Sequence, residues 1–189
     1  MNFLYIILGI LILITFYIVY SYNHLIKARN MVDRAYSNID ALLQKRFDLV
    51  PNLVTTVKGY MKHERELLEE ITRARSEWMD ASTIQENAEA DDVASKALKS
   101  IFAVSESYPD LKANQNFLML QEELAGIENK IAYARQRYNR TVMSLNTAIE
   151  QFPTNLIAQF FRFETREFFE VESDKVRKVP QVKMDRGEE

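Results

Sequence analysis

The chain carries few of the side-chain combinations from which proteins build metal or acid–base sites. Its 189 residues include two histidines and no cysteine, which excludes thiolate metal sites, catalytic thiols and disulfide bonds. His63 and Glu64 begin like the zinc-binding motif His-Glu-x-x-His, but Leu67 stands where the second histidine is needed. One imidazole on a helix does not complete a zinc site, so we predict no metal there.

Carboxylates are more numerous and could bind a pair of metal ions between helices. The candidates are Glu64, Glu66, Glu69, Glu70, Glu122, Glu123 and Glu128. Helical di-metal sites need Glu-x-x-His pairs that face inward, and no glutamate in this sequence has a histidine three residues after it. Glu69 and Arg73 instead have the four-residue spacing of an exposed ion pair. With no glycine-rich phosphate-binding motif either, the sequence predicts no catalytic residue, no cofactor, no metal, no small-molecule substrate and no enzymatic activity.

A different set of polar residues lies on or beside the apolar stripes of the predicted helices. The set comprises Asn38, Asp40, Arg46, Asp48, Asn52, Glu128, Arg135 and Asn139. In one interpretation most of them face water. In the other they form a buried network that fixes the register of the first long helix against the third, since a polar group in a bundle core costs stability but selects one alignment.

The strongest positional signal is at the start of the chain, where residues 3–20 contain no charged side chain. Eighteen helical residues extend ~27 Å, close to the thickness of a bilayer's hydrocarbon core. No basic residue precedes this segment and no small-x-small cleavage site follows it, which favours a retained anchor over a signal peptide. Lys27, Arg29 and Arg34 follow the segment, so the positive-inside rule places the rest of the chain in the cytoplasm, with the extracytoplasmic side as the alternative.

Composition and periodicity predict an all-α protein. Glycine and proline number four each, and the net charge of −3 offers no general attraction for nucleic acid. Apolar residues recur every three or four positions from Tyr22 to Trp78, as in coiled-coil packing. Pro51 falls inside that stretch, where it either kinks one helix or ends it, with Asp48 as a possible cap of a new one.

Two further helices complete the predicted bundle. Ser82 and Gln85 have the spacing of a capping box that opens a second helix. The third helix shows the same apolar spacing from Leu111 to Ile149 and is stopped by Pro153. We therefore predict an N-terminal transmembrane helix followed by an up-and-down bundle of three long antiparallel helices, the first kinked at Pro51, which a short fourth, aromatic segment completes.

That C-terminal segment concentrates aromatic residues, and its role is open between two interpretations. The residues are Phe160, Phe161, Phe163, Phe168 and Phe169. They could close one end of the bundle as a short helix or flap, or they could contact a membrane surface or a partner. Residues 172–189 are charged and predict a disordered tail. The expected organisation is thus an anchor at 1–22, a bundle at 23–171 and a tail at 172–189.

Two stretches, 22–75 and 108–153, resemble LemA-family proteins. The resemblance is carried by Arg-Phe-Asp-Leu-Val-Pro-Asn-Leu at 46–53 and by the segment from Glu128 to Asn139, which reads Glu-Asn-Lys-Ile-x-x-Ala-Arg-x-x-Tyr-Asn. It implies a single-pass anchor, an up-and-down helical bundle and no enzymatic activity, and it suggests an accessory role in the bacterial envelope. One departure is Arg162, where the family usually has a small residue.

Two functions remain as hypotheses. The first is a non-catalytic scaffold or adaptor, anchored in the lipid bilayer, that presents its helical rod to protein partners or to further copies of itself. The second is a lipid-binding or membrane-remodelling protein that uses residues 160–169. Neither involves nucleic acid.

Overall fold

The computed structural model describes residues 2–61 and 63–170, which form helices and contain no strand. The helices are α1 (Asn2–Lys58), α2 (Arg65–Asp80), α3 (Ile84–Ser105), α4 (Pro109–Lys112), α5 (Gln115–Glu150) and α6 (Thr154–Phe160). The all-α helical bundle predicted from the sequence is confirmed. The predicted tail at 172–189 lies outside the described residues.

The first helix is continuous over 57 residues and passes through both residue 22 and Pro51 without a break. A proline has no N–H group, so the carbonyl of Phe47, four residues earlier, loses its usual helical partner. Arg75 of α2 replaces that partner, because its Nε donates a hydrogen bond to the Phe47 carbonyl oxygen at 3.1 Å. The helix therefore tolerates Pro51 with its buried backbone groups satisfied.

The chain reverses direction ten residues after Pro51, and this differs from the predicted continuous helix up to Trp78. α1 ends at Lys58, and residues 65–80 form the separate helix α2. The regular spacing of apolar residues continues through this turn, because Met61 within it is buried like the apolar residues of the helices. Folding back buries Leu68, Ile71 and Ala74, which a straight helix would leave in water. The bundle thus has four substantial helices where three long ones were expected.

The capping box of α3 lies one residue later than predicted from Ser82 and Gln85. Thr83 is the N-cap, and its hydroxyl accepts a hydrogen bond from the Glu86 backbone N–H at 3.1 Å. The Glu86 carboxylate accepts in return from the backbone N–H groups of Ser82 at 2.7 Å and Thr83 at 3.0 Å. A carboxylate suits the positive end of a helix better than the neutral amide of Gln85.

α1 and α5 run antiparallel and form the spine of the molecule, with Tyr60 at the end of α1 bonded to Asn114 at the start of α5. The α2–α3 pair covers the half of this spine farther from the apolar segment, where Phe47 stacks on Trp78 and Phe102 meets Phe117. In the nearer half no further long helix is present among the described residues. There α6 and the extended residues 163–170 cover the spine instead.

Candidate functional site

A charged cluster lies in the core where α1, α3 and α5 meet. Arg46 of α1 is 1% exposed, and its guanidinium forms ion pairs with Asp91 of α3 and Glu128 of α5. Ser95 accepts a hydrogen bond from Arg46 Nη2 at 3.0 Å and donates one to Glu128 at 3.2 Å. Arg135 of α5 adds a second guanidinium, 3.3 Å from the other carboxylate oxygen of Asp91. Two positive and two negative charges thus join three helices.

Burial dominates the electrostatics of this cluster. Desolvation lowers the pKa of Arg46, and attraction to Asp91 opposes that shift. Desolvation likewise raises the pKa of Asp91, whereas the guanidiniums of Arg46 and Arg135 favour its ionised form. Because arginine keeps its proton in proteins, the core of the bundle holds Arg46 as a cation whose two carboxylate partners offset the cost of removing it from water. This arrangement suits alignment of helices better than proton transfer.

The extended C-terminal residues connect to the cluster through Phe169. Its side chain is fully buried, and the Arg135 guanidinium lies 5.1 Å from the centre of its ring. Asn139 binds its backbone from both sides, since the Phe169 N–H donates to Asn139 Oδ1 at 2.8 Å and Asn139 Nδ2 donates to the Phe169 carbonyl at 3.4 Å. Arg135 and Asn139, one helical turn apart on α5, therefore connect the charged cluster to the C-terminal end of the described residues.

The other end of this segment lies beside the apolar part of α1. Phe163 packs on Tyr22, with ring centres 5.9 Å apart, and the Arg29 guanidinium lies 5.7 Å from the same ring. The Tyr17 hydroxyl is 3.3 Å from the Thr154 hydroxyl of α6. α6 thus lies at the level of Tyr17, near the end of the uncharged segment.

α6 and the residue just before Pro153 present apolar side chains to the surface. Phe152, Leu156 and Phe160 follow each other at intervals of four residues and are 75%, 57% and 80% exposed. Ile157 and Ala158 face inward against Leu25. This gives α6 one apolar face in the bundle and another that is uncovered.

The N-terminal part of α1 is long and apolar enough to cross a membrane. The most apolar 18-residue window of the helix has a mean hydropathy of 2.6, and none of it is buried within the protein. A core helix of a globular protein would be covered by its neighbours, and this segment is not.

Comparison with known proteins gives the family. The model of the LemA family matches residues 35–184. The chain belongs to the LemA family. It is 31% identical over 165 residues to Protein LemA of Metamycoplasma hominis, which covers 84% of this chain and 74% of that relative.

Two magnetosome proteins align with this chain at lower identity. The chain is 22% identical over 175 residues to Magnetosome protein MamQ 2 of Paramagnetospirillum magneticum, covering 79% of this chain and 64% of the relative. A match of the same identity, over 174 residues, is to Magnetosome protein MamQ of Magnetospirillum gryphiswaldense, covering 78% and 64%. This chain therefore spans slightly less than two thirds of the MamQ proteins.

In this LemA-family chain the predicted polar set divides. Arg46, Glu128 and Arg135 come together in the charged cluster. Asn139 lies one turn away and binds Phe169. The remaining four are exposed on α1 and take no part in the cluster; they are Asn38, Asp40, Asp48 and Asn52. Asn38 and Asn52 line shallow surface grooves between α1 and α5.

Two members of the cluster were absent from the predicted set, namely Asp91 and Ser95. The apolar pattern around Asp91 is weak, because alanines and other acids surround it. The signal that could have found it is spacing, since Asp91 stands three residues before Ala94 and seven before Leu98, and both of those are buried on the inner face of α3.

The five phenylalanines also divide. Phe169 is buried and Phe163 is half-buried against Tyr22. Phe160, Phe161 and Phe168 are 80%, 44% and 40% exposed. The segment therefore both closes the bundle and leaves aromatic side chains uncovered.

Proposed function

We propose that this protein is a non-catalytic, membrane-anchored scaffold or adaptor of the bacterial envelope that holds a protein partner at a distance from the bilayer. The observation that carries the proposal is the continuity of α1, which leads from the exposed apolar segment directly into the buried core. A continuous helix transmits position and direction, which a scaffold needs and a flexible tether does not supply.

The chemistry of the core supports a structural role. The charges buried within the bundle are paired with each other across helices, so they stabilise the alignment and are not available to a substrate. The apolar residues uncovered at the far end of the rod offer a contact surface, with Met119 66%, Leu118 40% and Tyr60 38% exposed. Aromatic residues and methionine are enriched at protein interfaces.

Site-specific photocrosslinking tests the scaffold role in intact cells. A photoreactive amino acid at Met119 should give a discrete adduct with another protein, identified by mass spectrometry. The same group at Glu122, exposed on the same helix, is the matched control and should give little. The scaffold role is contradicted if neither Met119 nor Tyr133, which is 70% exposed, gives an adduct above that control.

We propose that the bundle lies on the cytoplasmic side, because Lys27, Arg29 and Arg34 follow the apolar segment. The chain contains no cysteine, so Glu122→Cys would be the single reactive thiol. A membrane-impermeant maleimide should label that variant only after the cells are permeabilised. Labelling of intact cells would place the bundle on the extracytoplasmic side.

The uncovered face of α6 favours a second candidate, contact with the membrane surface through Phe152, Leu156 and Phe160. α6 lies beside the stretch of α1 from Tyr17 to Tyr22, since Thr154 contacts Tyr17 and Phe161 packs on Tyr22. Tyrosines of this kind are typical of the headgroup level of a membrane. A Phe160→Trp variant in a Trp78→Phe background should be quenched by brominated lipids. The control is Met119→Trp in the same background, which should not be quenched. Equal quenching at both positions would contradict a specific lipid contact.

A further inference from the structure

Two asparagines on α5 bind a peptide backbone in the same way. Asn146 accepts a hydrogen bond from the Arg166 N–H at 2.9 Å and donates one to the Arg166 carbonyl at 2.9 Å. Asn139 makes the same pair of bonds with Phe169. The two asparagines are seven residues apart, so they lie on one face of the helix. Tyr138, next to Asn139, adds a third bond, because its hydroxyl donates to the Glu167 carbonyl at 2.9 Å.

We call residues 163–170 the strap, and Tyr138, Asn139 and Asn146 the asparagine face. A side-chain amide offers one donor and one acceptor group, as a neighbouring strand does, so the face recognises backbone whatever the side chains are. The side chains at 164–168 are exposed, and Phe169 is the one fully buried anchor of the strap. The strap is thus held like a bound peptide that happens to be continuous with the chain.

The connection that returns the strap to its own bundle is conformationally unfavourable. Arg162 has φ +56°, in the left-handed region that glycine tolerates and a residue with a Cβ does not favour. It occupies the C′ position of a Schellman motif at the end of α6, where the Phe163 N–H bonds to the Ala158 carbonyl at 2.9 Å and the Arg162 N–H to the Gln159 carbonyl at 3.2 Å. Opening this turn relieves the strain at Arg162.

We call the turn at Arg162 the hinge. Its position favours the asparagine face of a second copy as an alternative binding site for the strap. Phe163 lies against Tyr22, just after the apolar segment. Copies anchored in one membrane stand in the same direction, so the hinge of one copy and the asparagine face of its neighbour lie at the same height. Exchange of an identical element recreates the same contacts at low cost.

We propose that the strap exchanges between copies in one membrane, so that residues 163–170 of one copy occupy the asparagine face of another. The inference rests on the proposed anchoring, because the bilayer is what aligns the copies. It names a further copy of this chain as one partner of the scaffold.

Mixed single-cysteine variants of the full chain test the exchange. Asp33 of α1 and Arg166 of the strap form an exposed ion pair at 3.6 Å. Asp33→Cys copies and Arg166→Cys copies reconstituted together in vesicles should form a covalent heterodimer with a short bis-maleimide crosslinker, which spans the gap that the shorter cysteine side chains leave. The double variant should form the crosslink within one chain, which verifies the geometry.

The matched control uses a pair that exchange cannot bring together. Lys45 and Glu123 form an exposed ion pair at 2.9 Å between α1 and α5. A mixture of Lys45→Cys and Glu123→Cys copies reports random collision, and the strap pair should exceed it several-fold. An equal yield from both mixtures overturns the exchange.

Two further measurements separate the possible failures. Arg162→Gly removes the strain from the closed turn, so it should lower the heterodimer yield without unfolding the bundle; an unchanged or higher yield would contradict the role of the hinge. Sedimentation with the vesicles checks anchoring independently. Protein absent from the vesicle fraction overturns the anchoring and the exchange that rests on it, whereas protein present there without heterodimer overturns the exchange alone.

Discussion

Arg46 is the residue on which three helices of this bundle depend. Its charge is fully buried and is balanced by carboxylates from α3 and α5, while its Nε atom has no hydrogen-bond partner among the described residues. A buried pair adds little net stability compared with a well-packed apolar pair, yet removal of one partner leaves an uncompensated charge in the core. The cluster therefore penalises misalignment of the helices more than it stabilises the correct fold.

Substitution of Asp91 should be far more damaging than substitution of an exposed acid. Asp91→Ala leaves Arg46 without its fully buried partner and should lower the free energy of unfolding by about 3–5 kcal/mol. Glu69→Ala removes an exposed pair with Arg65 and should cost under about 1 kcal/mol. Denaturant unfolding of the full chain in micelles, followed by circular dichroism, measures both.

A double substitution tests whether the stability lost in Asp91→Ala comes from the charge that is left unpaired. Arg46→Met with Asp91→Leu removes the two fully buried charges and should recover much of the stability that Asp91→Ala loses. The charges that stay, Glu128 and Arg135, are 34% and 30% exposed and reach water. If Asp91→Ala and Glu69→Ala lose equally little stability, the cluster is not the central constraint that its burial indicates.

The sequence allowed part of this cluster to be predicted. Arg46, Glu128 and Arg135 are long polar residues that fall on or beside regular apolar stripes, and that contrast makes them visible. Asp91 lies among small alanines and other acids, so its stripe is weak. Its spacing to Ala94 and Leu98 indicates the inner face of α3, but its contact with Arg46 depends on the position that the α2–α3 pair takes in three dimensions. The fold class was predictable for the opposite reason, since the apolar spacing of α1 and α5 persists over many turns.

At the scale of elements, α1 and α2 are joined by a hydrogen bond that compensates for the N–H group that Pro51 lacks. Pro51 cannot donate to the Phe47 carbonyl, and Arg75 does so from α2. The residue that weakens one helix thereby specifies how the next helix packs against it. The sequence showed Pro51 but not its partner Arg75, because the position of Arg75 depends on how α2 folds back past Pro51 after the end of α1.

A double-mutant cycle on Arg75 and Pro51 should give a coupling energy of defined sign. Arg75→Ala should cost about 1–2 kcal/mol of unfolding free energy in the natural chain, because it leaves the Phe47 carbonyl without its donor. In a Pro51→Ala background the helix supplies its own N–H at that position, and the same substitution should cost clearly less. Thermal and denaturant unfolding of the four proteins gives the coupling. Equal costs in both backgrounds would show that Arg75 acts by packing alone.

The start of α3 should make stability depend on pH. Backbone N–H groups of Ser82 and Thr83 hold the pKa of the Glu86 carboxyl below its ordinary value of 4.5. A carboxyl with a lower pKa in the folded state stabilises the fold above the unfolded value and loses that contribution as the pH falls through the folded value. Glu86→Gln should therefore lower the melting temperature at neutral pH.

The difference between Glu86→Gln and the natural chain should shrink as the pH drops below about 4.5, because the natural glutamate then also becomes neutral. Melting temperatures from pH 7 to pH 3 measure this trend. Glu89→Gln, exposed on α3 outside the capping box, is the matched control and should change the profile little. A gap that stays constant with pH would assign the effect of Glu86 to something other than its charge.

At the scale of the whole molecule, two halves of one spine are covered in different ways. Far from the apolar segment α1 and α5 are packed by α2 and α3, and near it they are covered by α6 and the strap. Phe169 and Arg135 join the halves, because Phe169 belongs to the strap and Arg135 binds Asp91 of α3. A change in the strap can therefore reach the charged cluster through a single side-chain contact.

The continuity of α1 sets the distance of the far end from the membrane. Lys58 comes 36 positions after Tyr22, a distance of ~54 Å along a helix. A donor dye on Leu156→Cys, beside the apolar segment, should transfer energy strongly to acceptor lipids in vesicles. The same dye on Leu118→Cys, which is 40% exposed at the far end, should transfer weakly.

Lys27→Pro would interrupt the helix just after the segment and should raise transfer from Leu118→Cys by letting the rod tilt. Strong transfer from both positions in the natural chain would mean that the rod lies along the bilayer, and the rigid-spacer role of α1 would then be wrong.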